Sequence, residues 1–165
     1  MIYFCFKCEG QNYGQLNLEE FSKGMSKLNV KKFVELKPSI NKVKEDLLVI
    51  TNEEFRKFYY YIFEYSMDKS KKVLDFEIVK FFWCKLFSIH FKIMDELISF
   101  YENHFKSEPL KQDPWNCLLD FLIKIGDKFP KGYRIIDSWP IIFDEFFKYY
   151  IKKFNIEIDE DDEFA

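Results

Sequence analysis

The chain has 165 residues, 48% of them hydrophobic, and a net charge of −3. That length suits one domain with a substantial core, and the charge gives no basis for nucleic-acid binding, which rests on neutralising phosphates with a basic surface. No apolar run approaches the eighteen or so residues of a membrane span, and MIYFCFKCEG lacks the features of a signal peptide, so a soluble protein of the cytoplasm, the nucleus or both is expected.

Residues Ile2 to Cys8 are apolar with no cap before them. They read as the closing part of a helix, so the chain is expected to begin inside its domain. Glu9 to Glu20, EGQNYGQLNLEE, can be laid over a twelve-residue calcium loop with Gly14 at the sixth place, Leu16 at the eighth and Glu20 at the twelfth. Gln11 and Tyr13 occupy ligand places, leaving two carboxylates where a hard cation wants more oxygen donors, so a metal-free, degenerate EF-hand-like turn is expected. Asn17 with Glu20 forms a capping box for a helix over Leu18 to Leu28, and a second helix is expected over Pro38 to Leu48.

Thr51 with Glu54 is read as another capping box, opening a helix with the apolar stripe Phe55, Phe58, Tyr59, Ile62 and Tyr65. Asp68 to Lys72 is a polar, solvated loop, Asp75 caps a helix through Phe87, and a further helix covers about Phe91 to Phe105. Asp113, before Pro114, is expected to cap a helix that Gly126 closes. The last helix starts at Pro140 with Phe143, Phe147, Tyr150 and Phe154 on one face, followed by an acidic stretch, IEIDEDDEFA. No alternating strand pattern appears, so the expected fold is all-α: a single compact multi-helix domain over 1–156 with an EF-hand-like segment at its N-terminus, then an acidic tail over 157–165.

Four cysteines, at positions 5, 8, 84 and 117, are too few and too dispersed for a disulfide framework and fit a reducing compartment. Cys5 and Cys8 form a C-x-x-C, but the second half of a zinc site is missing, so neither a metal nor a cofactor is expected. There is no nucleophile–His–acid pattern, phosphate-cradling glycine loop or HExxH, and His90 and His104 read as surface or boundary residues. No catalytic residue is assigned.

Two segments carry the functional signal: DPWNCLLDF, Asp113 to Phe121, and DSWPIIFDEFFKYY, Asp137 to Tyr150. In each, an acidic residue, a proline and a tryptophan stand at a helix start. Taken alone, Asp113 is a cap worth about 1 kcal/mol. Asp144, four residues before Lys148, is the acid of an exposed ion pair worth roughly 0.3–0.5 kcal/mol. Together with Ser138, the two acids can also present an acidic notch to a basic partner.

These blocks resemble the C-terminal half of the PONY domain of the defective-in-cullin-neddylation (DCN1-like) family. LEEFSKGM at Leu18, FRKFYYYIFEYS at Phe55 and LDFEIVKFFW at Leu74 follow in the family's order, so the resemblance runs from about Tyr3 to Phe154. It implies a non-catalytic ligase scaffold that promotes transfer of a ubiquitin-like modifier from its conjugating enzyme to a cullin lysine. Asp113, Ser138 and Asp144 match the acidic patch that grips the cullin winged-helix domain, with Ser138 standing where the family has alanine. Phe4, Leu16, Tyr65 and Phe82 match an apolar pocket for the acetylated N-terminal methionine of the conjugating enzyme. An EF-hand-derived helical adaptor, responsive to calcium and without a role in neddylation, is the alternative.

Overall fold

The computed structural model describes residues 1–47, 49–130, 133 and 139–156, with the side chains of 43–47 outside the description. Eight α-helices are found among the described residues, and the fold class is all-α, as the sequence periodicity leads one to expect. Two compact units divide the chain, Met1–Met67 and Asp68–Ala165.

The first unit contains α1 (Ile2–Lys7), α2 (Leu18–Lys27), a 3-10 turn (Phe33–Glu35), α3 (Leu36–Leu47) and α4 (Glu53–Ser66). The opening residues are helical, as expected. The α2 capping box forms: Asn17 Oδ1 accepts the Glu20 N–H at 2.9 Å, and Glu20 Oε2 accepts the Asn17 N–H at 2.8 Å. At α4 the cap is Asn52, one residue later than expected, its Oδ1 accepting from the Glu54 N–H at 2.9 Å. No box closes at Thr51. The Glu54 carboxylate is instead engaged by the Tyr3 hydroxyl at 3.3 Å and by Lys7, a long-range pairing that local pattern does not show. The stripe Phe55, Phe58, Tyr59, Ile62 and Tyr65 is buried, joined by Phe63.

A separate apolar cluster forms around Phe4, Cys8, Val30 and Leu36, with Leu16, Phe21 and Met25 against it. Gly24, buried in α2, lets the end of α1 approach closely: a Cβ there would overlap Cys8 Sγ and lie 3.2 Å from both Cys8 Cα and N.

The second unit contains β1 (Val73–Leu74), α5 (Phe76–Leu86), α6 (Met94–His104), β2 (Leu110–Lys111), α7 (Gln112–Ile125) and α8 (Ile141–Phe154). The two strands pair antiparallel, Val73 with Lys111 and Leu74 with Leu110. This corrects the expectation of no strands. Two residues cannot show alternation, and the pairing partner is distant in sequence. In the loop before β1, the Asp68 carboxylate accepts from the Ser70 N–H at 2.8 Å and the Ser70 hydroxyl at 2.6 Å. Asp68 to Lys72 is exposed throughout, as expected of a solvated loop.

The α6 helix starts at Met94, three residues later than its pattern suggests, and the preceding Phe91 N–H closes a turn back to Phe87 O at 2.9 Å. The α7 helix closes at Gly126, which takes φ +67°. In α8 the core face is Ile142, Phe143, Phe146 and Phe147, whereas Phe154 is 46% exposed. The expected stripe was therefore right at its start and wrong at its end.

Candidate functional site

Pro114 sits inside the first turn of α7, where a missing N–H costs nothing. Asp113 is correspondingly not the cap. The helix begins at Gln112, immediately after the β1–β2 pairing, and Asp113 lies in the first turn, exposed. A carboxylate there still meets the positive end of the helix dipole. Its Oδ1 accepts from Cys117 Sγ at 3.8 Å. Burial raises the Cys117 thiol pKa above its ordinary value, and the Asp113 charge adds to the rise.

Asp144 lies in the first turn of α8. It is half-buried, and its Oδ1 is shielded from solvent. Tyr133 is close enough to feel it: burial pushes the phenol up to about 12, with the Asp144 carboxylate adding to the rise. Lys148, one turn on in α8, makes no ion pair among the described residues. The sequence-based pairing of Asp144 with Lys148 is therefore not formed. Ser138, the third residue of the expected patch, lies outside the described residues.

Aromatic packing joins the start of α8 to the second half of α7. Phe121 of α7 and Phe143 of α8 stack at 4.3 Å and 13°, and Trp139 meets Phe121 edge-on at 5.8 Å. Asp113 stands eight residues before Phe121, about 12 Å along the axis. Lys124, at the exposed end of α7, places Nζ 5.9 Å from the Tyr133 ring and 5.7 Å from that of Trp139. Tyr133 and Lys124 are neighbours of this surface that the sequence reading missed. Only tertiary packing brings Tyr133 beside Lys124 of α7 and Phe147 of α8.

The first unit holds three of the four pocket residues. Phe4 is buried against Phe21, ring to ring at 5.6 Å, and Leu16 packs on the same cluster. Tyr65 is buried, its hydroxyl accepting the Gly14 N–H at 2.9 Å and its ring stacked on Tyr61 at 5.1 Å. Burial pushes the Tyr65 phenol up to about 12. Phe82, on α5, belongs to the second unit and is half-buried.

Gly14 at φ +72° suits the sixth place of an EF-hand-like loop. The two carboxylates of that loop are otherwise engaged. Glu20 closes the capping box, and Glu9 pairs with Lys27, whose hydrogen bond and charge lower the Glu9 pKa. Among the described residues no group of three or more His, Cys, Asp or Glu side chains is arranged to hold a metal ion. None of the described helices is long and apolar enough to cross a membrane.

A family model described as "Cullin binding" matches residues 35–149, a span that includes Asp113 and Asp144. The chain belongs to this cullin-binding family. Its matched segment runs from the 3-10 turn of the first unit into α8. DCN1-like protein 4 of Homo sapiens is 27% identical over 155 residues, covering 93% of this chain and 51% of that protein. Defective in cullin neddylation protein 1 of Caenorhabditis elegans is 24% identical over 174 residues, covering 94% of this chain and 58% of that protein. DCN1-like protein 5 of Homo sapiens is 24% identical over 146 residues, covering 88% and 60%. The chain thus spans little more than half the length of the curated relatives it matches.

Proposed function

We propose that this chain is a scaffold-type ligase component that holds a cullin by its winged-helix domain. It promotes transfer of a ubiquitin-like modifier from the conjugating enzyme to a cullin lysine. The observation that carries this reading is the cullin-binding match over 35–149, which contains both acidic helix starts. Asp113, Ser138 and Asp144 are the proposed cullin contacts. Asp113 offers an exposed carboxylate and Asp144 a half-buried one, and charge-assisted bonds to lysine or arginine are stronger than neutral ones.

In this reading the chain does no covalent chemistry. Its contribution is positional: fixing a thioester beside its acceptor amine lowers the barrier by removing translational and rotational freedom beforehand. Residues 1–156 act as the cullin-binding domain and 157–165 as its acidic tail, at work in the cytoplasm or nucleus. Phe4, Leu16, Tyr65 and Phe82 are the proposed contacts for the conjugating enzyme's acetylated N-terminus.

The test is calorimetric titration of a cullin winged-helix domain into the wild-type chain, Asp113→Ala and Asp144→Asn, alongside a reconstituted transfer assay. Binding by the wild type, weakened in both variants together with transfer, supports the proposal. A wild-type chain that binds no cullin domain refutes it.

A further inference from the structure

Between α6 and α8 of the second unit lies an open groove of about 640 Å³. Phe100, His104 and Tyr149 give it an aromatic lining, Lys148, Lys152 and Lys153 a basic one, and Glu145 is its one acid among the described residues. The aromatic groups touch one another: Phe100 and His104 lie 5.1 Å from Tyr149, ring centre to ring centre, and 4.5 Å from each other. Lys153 is bonded to Glu96 at 2.6 Å. Lys148 and Lys152 have no ion-pair partner among the described residues. Two lysines four apart on one helix face repel each other. An anion between them removes that cost.

The end of α8 bears on what that anion is. Asn155 takes φ +48°, and the Ile156 N–H returns to Ile151 O at 3.0 Å, a closure that turns the chain off the helix axis. Residues 157–165 follow directly, and their sequence carries six carboxylates, at Glu157, Asp159, Glu160, Asp161, Asp162 and Glu163. From Lys148 to Asn155 is about 10 Å of helix axis. Nine extended residues span about 30 Å. Reach and charge both match the groove.

We propose that the acidic segment 157–163 occupies this groove in cis, its carboxylates on Lys148 and Lys152, and so competes there with acidic peptides from other proteins. Tethering gives the segment an effective concentration on the order of millimolar, so a weak intramolecular contact outcompetes a weak ligand in solution.

The experiment compares the full-length chain with a full-length variant neutralised at all six positions (Glu157→Gln, Asp159→Asn, Glu160→Gln, Asp161→Asn, Asp162→Asn, Glu163→Gln), by amide NMR. Neutralisation is expected to move the resonances of His104, Lys148, Tyr149 and Lys152. Salt near 1 M, where the screening length is about 3 Å, should produce the same movement in the wild type. A synthetic peptide of residues 156–165 should bind the neutralised variant at least about fivefold more tightly than the wild type, which competes with its own tail. It should not bind Lys148→Glu/Lys152→Glu. Unmoved groove resonances on neutralisation overturn the proposal. Equal peptide binding to both chains overturns it as well, and resonance changes that fade on dilution assign the groove to a second copy's tail instead. The neutralised-tail comparison changes none of the residues that line the groove, so it stands whatever the lysine variant does.

Discussion

Gly24→Ala tests the packing that sets the first unit's apolar cluster. In a helix, alanine is favoured over glycine by about 1 kcal/mol, so local propensity alone predicts a more stable protein. The structure predicts the opposite. The new methyl overlaps Cys8 Sγ and stands 3.2 Å from Cys8 Cα and N. The thiol, fully buried itself, has little room to rotate away, and the backbone atoms move only if the end of α1 shifts off α2. Overpacking of this kind costs about 1–3 kcal/mol, leaving a net loss of about 1–2 kcal/mol once propensity is deducted from its upper range. Cys8→Ala removes the sulfur but not the backbone contact, so the double variant should lose less than the sum of the single ones, with a coupling of about 1 kcal/mol. All three tryptophans lie in the second unit, so their fluorescence is a poor reporter. Hydrogen exchange of the α1 and α2 amides reads the effect directly. Slower exchange in Gly24→Ala than in wild type would mean that propensity wins and that the close approach of α1 to α2 is misjudged.

Asp113→Ala and Asp144→Asn should each weaken a cullin winged-helix domain by roughly tenfold, the worth of one charge-assisted bond. Their melting temperatures should part company: the half-buried Asp144 should cost several degrees and the exposed Asp113 little, and equal shifts by calorimetry would contradict the burial difference. The raised tyrosines predict alkaline lability. Tyr65, Tyr101 and Tyr133 each titrate near 12 when folded, against about 10 unfolded. The folded state therefore holds its protons longer, and stability is full below pH 10 and falls as pH rises to 12. Tyr133→Phe should flatten that fall in urea titrations. An acetyl-methionine peptide should bind no more tightly than micromolar, because Phe4 and Tyr65 are buried against the chain's own residues; tighter binding by fluorescence anisotropy would show that they can open. Calcium should leave the melting temperature unchanged, since Glu9 and Glu20 are already bonded within the chain.

Helix existence was legible in the sequence, because burying one face of a helix imposes a 3.6-residue period on apolar residues that does not depend on the partner. The stripe Phe55 to Tyr65, the Asn17–Glu20 box and the Gly126 closure were all readable for that reason: each is a local bond or a local backbone need. Starts at Thr51 and Asp113 were misplaced where a distant residue intervened. Glu54 is engaged by Tyr3 and Lys7, and β2 pairs with β1 just before α7. The two acidic residues at the candidate surface were nameable from the motif blocks alone. That one is exposed and the other half-buried beside Tyr133 was not, since burial depends on which segments the chain brings back from far along its length. The same holds for the lysine and aromatic groove: sequence places Lys148 and Lys152 one turn apart, but only the packing of α6 against α8 puts Phe100 and His104 beside them. Local chemistry is written residue by residue. Burial and convergence are properties of the whole folded chain.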